Sequence, residues 1–316
     1  MPKSPQRRRR FTPPKAVIIA ALLAFVLVDV ALVGYALTRE SGSTTAARPG
    51  VTITPSETPS PSPSTTVPPE PQALAAPTTY LSVVDSTTAY RVSAGSCPSE
   101  SPAQLEKTID GGSTWVTSPI TTGVTSVLRL RATESAVAFV VGESGPECAP
   151  DFTATYTSGA DFQTYPDRLA AAWYLQAGVG AAVNSPTGSF APPCDTPVSL
   201  ASTDDVSAGL ICSDGTVFQT VDGAVSWDAG TQVEGARALT ADTAGGFLIA
   251  SVGDASGTCQ GTELSSLDAT GALSVLGCRD GLSPSGDTVL SAASGAIWLL
   301  DGDTVSISTD SGQTWS

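Results

Sequence analysis

Beyond Thr79 the chain falls into short runs in which apolar and polar residues alternate, with Gly, Asp, Ser and Thr between them. Alternation with a period of two marks half-buried strands, and the residues between the runs are turn formers. The first such set predicts strands over Tyr80–Val84, Ala89–Ser93, Leu105–Ile109 and Thr114–Thr117. Further sets follow, ending at Thr304–Thr309. No helical periodicity competes with them, and abundant Ser, Thr, Val and Gly agree with an all-β class.

One stretch organises these sets. Thr108-Ile109-Asp110-Gly111-Gly112-Ser113-Thr114-Trp115 recurs from Thr220 to Trp227 and from Ser308 to Trp315. The shared pattern is hydroxyl-x-Asp-x-Gly-x-hydroxyl-Trp, with Ala224 in place of the Gly in the middle copy. An Asp can accept backbone N–H bonds from the turn that follows it. A Gly supplies positive φ, and the Trp is a large apolar anchor. The key residues are Asp110, Trp115, Asp222, Trp227, Asp310 and Trp315. Two worn copies are expected, one with Ser158 in the Asp place and one at Asp268. The spacing of Asp222, Asp268 and Asp310 suits four-stranded blades of about 40–45 residues. The pattern predicts a β-propeller of five blades. An insert at Leu169–Pro193 leaves room for a sixth, as a long strand, a short helix or a degenerate blade.

The motif resembles the Asp-box, or BNR repeat, of sialidase-type propellers. The chain is also similar to the photosystem II stability and assembly factor group, as a small actinobacterial relative. The resemblance implies that the box lies at the blade periphery, between the third and fourth strands, away from ligand. It implies a non-enzymatic binding or assembly module for a protein or glycan on the propeller face. The alternative it raises is a sialidase-like glycoside hydrolase. That family's Arg-Ile-Pro signature is absent, so no catalytic residue carries over.

The sequence ends one residue past Trp315, where a fourth strand would begin. The expectation is that a segment around Gln72–Pro77 supplies that strand and closes the ring, because an open edge invites aggregation.

The N-terminal quarter has a different pattern. Met1–Lys15 is basic, with Arg7–Arg10 at its centre, and Ala16–Leu37 is almost wholly apolar. About 20 apolar residues suffice to cross a bilayer, and the flanking charge places the N-terminus in the cytoplasm. An uncleaved single-pass anchor is expected over a cleaved signal peptide with small residues at Gly34-Tyr35-Ala36. Asp29 inside the apolar run is a costly residue there and a candidate contact to a partner membrane helix. Residues 38–78 are rich in Pro, Ser and Thr and predict a disordered, extended stalk. The domain from 79 to 316 then lies outside the cell.

Composition narrows the chemistry. The net charge is −15, and eight of the 15 basic residues lie before Thr79. So acidic a domain argues against nucleic acid as a partner. There is no His, which removes Ser-His-Asp catalysis and His-based metal sites. Asp204-Asp205 and Asp301-Gly302-Asp303 lack calcium-loop spacing, so neither metal nor cofactor is expected. Cys97, Cys148, Cys194, Cys212, Cys259 and Cys278 all follow the apolar run, and an even number outside the cell implies three disulfides. Spacing leaves the connectivity open; the expected set is Cys97–Cys148, Cys194–Cys212 and Cys259–Cys278. Arg129 and Arg131 alternate with Leu128 and Leu130, so both fall on one side of a predicted first strand. They are the candidate ligand-binding residues, for a carboxylate or phosphate in a central channel. The competing reading pairs them with nearby Asp and Glu.

Overall fold

The computed structural model describes residues 73–316, apart from 179, 254–257, 283 and 285–286. The predicted anchor, Asp29 and most of the stalk lie outside the described residues. Among the described residues no helix is long and apolar enough to cross a membrane.

The chain is an all-β propeller of six blades. Blade one is β1 (Thr79–Val83), β2 (Ala89–Ser93), β3 (Gln104–Thr108) and β4 (Val116–Pro119), paired antiparallel in that order. Blade two is β5 (Val124–Glu134) to β8 (Gln163–Thr164), with β6 at Val137–Ser144 and β7 at Ala149–Thr155. Blade three has three strands, β9 (Tyr174–Gln176), β10 (Ala182–Ser185) and β11 (Gly188–Phe190). Blade four is β12 (Pro197–Ser202), β13 (Ala208–Cys212), β14 (Thr216–Thr220) and β15 (Thr231–Gln232). Blade five is β16 (Ala236–Ala241), β17 (Phe247–Val252), β18 (Gly261–Leu267) and β19 (Leu273–Asp280). Blade six is β20 (Val289–Ala293), β21 (Ala296–Asp301) and β22 (Thr304–Ser308). The sixth blade of the ring therefore comes from the insert, which is a degenerate blade three preceded by a helical turn at Pro166–Leu169.

Core residues sit between blades, because each sheet is apolar on both faces. Tyr90, Val92 and Leu105 of blade one pack on Leu130 and Val140 of blade two. Leu175 and Val183 of blade three pack on Leu210 of blade four. The ring closes where Leu81 and Val83 meet Trp298 and Leu300 of blade six. There Trp298 has no solvent exposure, its indole N–H donates to the Asp85 carbonyl at 3.1 Å, and the Val83 N–H donates to Ser291 Oγ.

This closure differs from the expected one. Residues 73–77 form no strand. The Leu74 N–H donates to the Ser213 carbonyl at 2.7 Å, and the Leu74 side chain is buried among Val198, Ile211 and Val233 of blade four. A lone apolar side chain with a pocket to fill gains more from burial than from lying along an outer edge. Packing therefore closes the ring. Among the described residues the outer edge of β22 is paired only at Ile307, which exchanges both backbone hydrogen bonds with Ser316.

The repeated turn has one geometry in all three copies, the middle one with its Ala224 included. Thr108 Oγ1 accepts the N–H groups of Asp110 and Gly112 and donates to Asp110 Oδ1. Asp110 then accepts the Thr114 N–H at 2.9 Å and its hydroxyl at 2.6 Å. Asp222 and Asp310 do the same with Ser226 and Thr314. These bonds hold the carboxyls below the ordinary carboxylate range, that of Asp310 at about 2. Each turn leans on the preceding blade: a Cβ on Gly312 would collide with Leu264, and one on Gly112 would press on Val305. In blade two the register is one residue from the expected one. Thr155 Oγ1 accepts from Thr157 and Gly159, and Thr157 Oγ1 accepts the Asp161 N–H at 2.9 Å. Thr157 thus stands in the Asp place and Phe162 in the Trp place; Ser158 takes the positive-φ position, at 60°. A hydroxyl replaces the carboxylate as acceptor, and this hides the motif.

The three disulfides join Cys97–Cys148, Cys194–Cys212 and Cys259–Cys278. The first links the β2–β3 and β6–β7 loops, at the end of the ring opposite the repeated turns.

Candidate binding channel

In five blades the first strand is the inner one, and β1, β5, β12, β16 and β20 line a central cavity of about 510 Å³. That size suits a small ligand or a short peptide. These inner strands run from the disulfide end to the turn end. Blade three departs from this plan. The Trp173 indole N–H donates to the Asp204 carbonyl, and Asp204 lies in the β12–β13 turn, at the turn end. Hence β9 starts at the turn end and runs the opposite way from β1. Its partners agree: Leu175 and Val183 occupy the interblade positions that Val92 and Leu105 hold in blade one. So β9 is a second-position strand, and blade three has no inner strand. The residues that would form one, 165–173, instead include the Pro166–Leu169 turn, which packs on β7.

Arg129 reaches across this gap. Its Nη1 donates to the Trp173 carbonyl and its Nη2 to Ser202 Oγ, each at 2.7 Å. The guanidinium thus ties β5 to the start of β9 and the end of β12. No carboxylate pairs with it among the described residues. Burial, and then the neighbouring Arg131, bring its pKa down to about 10. The competing reading, a pairing with nearby Asp or Glu, is not met at Arg129, which has neutral acceptors from blades three and four. Arg131 is brought close to Arg129, is exposed, and has no hydrogen-bond or ion-pair partner among the described residues. Arg237 also lines the cavity and donates to the Ala236 carbonyl. Sequence reasoning missed it, since nothing in its own strand marks it out.

The lining includes one carboxylate, Asp242, whose Oδ1 accepts the Ala244 N–H. Two tyrosines, Tyr80 and Tyr174, are also present. Burial, with Glu143 adding to it, pushes the Tyr80 phenol up to about 12, the reverse of an activated nucleophile. One mouth is spanned by the segment from Leu74, fixed on blade four, to Thr79, which opens blade one; Ala75 and Pro77 face the cavity. The residues of the repeated turns stand outside this site. Asp110 and Asp222 spend their oxygens on their own turns, and Trp115 packs in the seam between blades six and one. The described groups with metal-ligand spacing come down to Cys259, Cys278 and Asp280. Both sulfurs are in a disulfide, so neither is a thiolate ligand.

Fold and site together define a class: a six-bladed β-propeller with a basic patch in its channel. No family model matches the chain, and no characterised protein sequence matches it. Solved structures do. YCF48 bound to a D1 peptide is 17% identical, over 78% of this chain and 69% of that one, with a TM-score of 0.29. SapL1 lectin in complex with alpha methyl fucoside is 13% identical, over 78% and 96%, with a TM-score of 0.44. The GH74 enzyme of Niastella koreensis is 11% identical, over 75% of this chain and 46% of that one, with a TM-score of 0.43. This chain thus spans less than half of that enzyme. Identities this low concern the fold alone, and scores this low carry no argument about the site.

Proposed function

We propose that this chain is an Asp-box propeller, anchored in a membrane by residues 16–37 and carried outside the cell, that binds a protein or glycan partner at its channel. Its role is assembly or scaffolding, without catalysis. The observation that carries this reading is the charge imbalance of the channel. Arg131 lines the channel without a partner among the described residues, beside an Arg129 satisfied by neutral acceptors, in a protein whose net charge is −15. An anionic group on the partner would find complementary donors there. Hydrolysis of a glycosidic bond calls for a pair of carboxylates, or a nucleophile activated by its neighbours. Asp242 and the raised Tyr80 phenol are poor material for either.

The test uses the full chain in detergent. It is screened for binding against a panel of acidic and neutral glycans and against extracellular protein fractions, in parallel with hydrolysis of aryl glycosides that include sialosides. Binding without turnover is the expected result. Turnover abolished by Arg131→Ala would move the protein to the sialidase-like class.

A further inference from the structure

The missing inner strand of blade three leaves a backbone edge facing the channel. In the other five blades the second strand is covered on its channel side by a first strand. Here β9 is itself the inner edge of its sheet, in the order β11-β10-β9. Among the described residues, Tyr174–Gln176 make no backbone hydrogen bonds except those to β10. An unpaired edge of this kind is a template for an added strand.

Two details say what strand would fit. Arg129 Nη1 already donates to the Trp173 carbonyl, at the start of β9. This is the kind of donor an inner strand's backbone N–H would provide, so Arg129 caps one end of the vacancy, and Tyr174 and Leu175 line the cavity beyond it. Arg131, nearby on β5, is exposed and has no partner among the described residues. An incoming acidic side chain would meet a cation that no carboxylate engages among the described residues. Access is one-sided, because the segment from Leu74 to Thr79 spans the disulfide-side mouth. The start of β9 lies toward the other mouth.

We infer that blade three is completed by an extended acidic peptide of a partner protein, which pairs with β9 and sets a carboxylate on Arg131. This rests on the reading of the channel as a binding site, and it specifies the ligand. The neighbouring inner strand β12 has six residues, so the bound segment is of similar length, spanning about 3.3 Å per residue.

The experiment uses the full chain in detergent and a library of blocked hexapeptides with Glu fixed at one position, read by fluorescence polarisation. Three controls accompany the best binder: Lys in place of the Glu, N-methylation of alternate backbone amides, and the Arg131→Ala protein. We expect the Lys peptide and Arg131→Ala each to weaken binding at least tenfold, with the melting temperature of Arg131→Ala unchanged. We expect N-methylation to abolish binding, because it removes the donors that pair with β9 and keeps every side chain. Hydrogen exchange at Tyr174–Gln176 should slow when the peptide binds. An N-methylated peptide that binds equally well would overturn strand pairing while leaving a binding channel. A library without binders, in a protein that binds a glycan or folded partner at the same channel, would overturn the peptide assignment alone. Failure of every ligand class would remove the binding reading as well.

Discussion

Blade one and blade three are built from the same repeat and do opposite things with it. Blade one has all four strands, a full Asp turn and a tryptophan, and its inner strands join blade six at a seam filled by Trp298. Blade three has lost its inner strand and carries no Asp turn. A guanidinium from blade two spans the space instead. The complete blade supplies stability, and the incomplete one supplies an opening into an otherwise closed wall. In a repeat protein, a site is to be sought where the repeat fails.

The largest expected effect lies at the seam. Trp298→Ala removes a fully buried indole and should cost about 3–5 kcal/mol in urea unfolding; a loss under 1 kcal/mol would show that packing does not close the ring. The disulfides come next. Replacing Cys97 and Cys148, which enclose the longer loop, should cost about 4 kcal/mol by loop-closure entropy. Replacing Cys194 and Cys212, which tie blade three to blade four, should cost about 3 kcal/mol. The reverse order would mean that blade three leans on its disulfide more than blade one does.

A smaller effect follows from the Asp turns. Asp310 titrates at about 2 when folded, below the ordinary 3.8, because Thr314 and Ser308 donate to its charged form. A folded pKa below the unfolded one stabilises at pH above about 4 and is lost as pH falls through about 2. Urea midpoints should therefore drop across that window, and more gently in Asp310→Asn. An unchanged slope would separate the turns from acid stability. The smallest effect concerns Arg91, whose guanidinium lies 4.3 Å from the Trp115 ring centre and 2.7 Å from Glu106. Arg91→Ala should cost about 0.5–1 kcal/mol, as a partly exposed cation–π contact does.

Much of the fold was legible because its signals are local. Alternation marks a strand wherever one face is buried, and the Asp turn needs its carboxylate and hydroxyls at fixed offsets. That the six cysteines form three disulfides was legible from their even number, and the expected pairs are the ones formed, each within a blade or between neighbouring blades. Three things were not legible. A missing strand leaves no pattern, so the insert with Trp173-Tyr174-Leu175 could equally predict a helix, a strand or a blade. Leu74 is a lone apolar residue beside a Pro-rich run, and only the pocket formed by Val198, Ile211 and Val233 gives it a place. The partners of Arg129, Trp173 and Ser202, lie 44 and 73 residues away. Alternation with Leu128 and Leu130 marked Arg129 as notable but could not say that its donors were already engaged.

An open edge on blade three is tested most directly by hydrogen exchange in the ligand-free protein, comparing β9 with the second strands of the other blades. If blade three lacks its inner strand, Tyr174–Gln176 will contain a rapidly exchanging fraction while Tyr90–Val92 and Leu248–Ala250, each paired on both sides, stay protected. Equal protection across all of them would contradict an open edge, and with it the site proposed there.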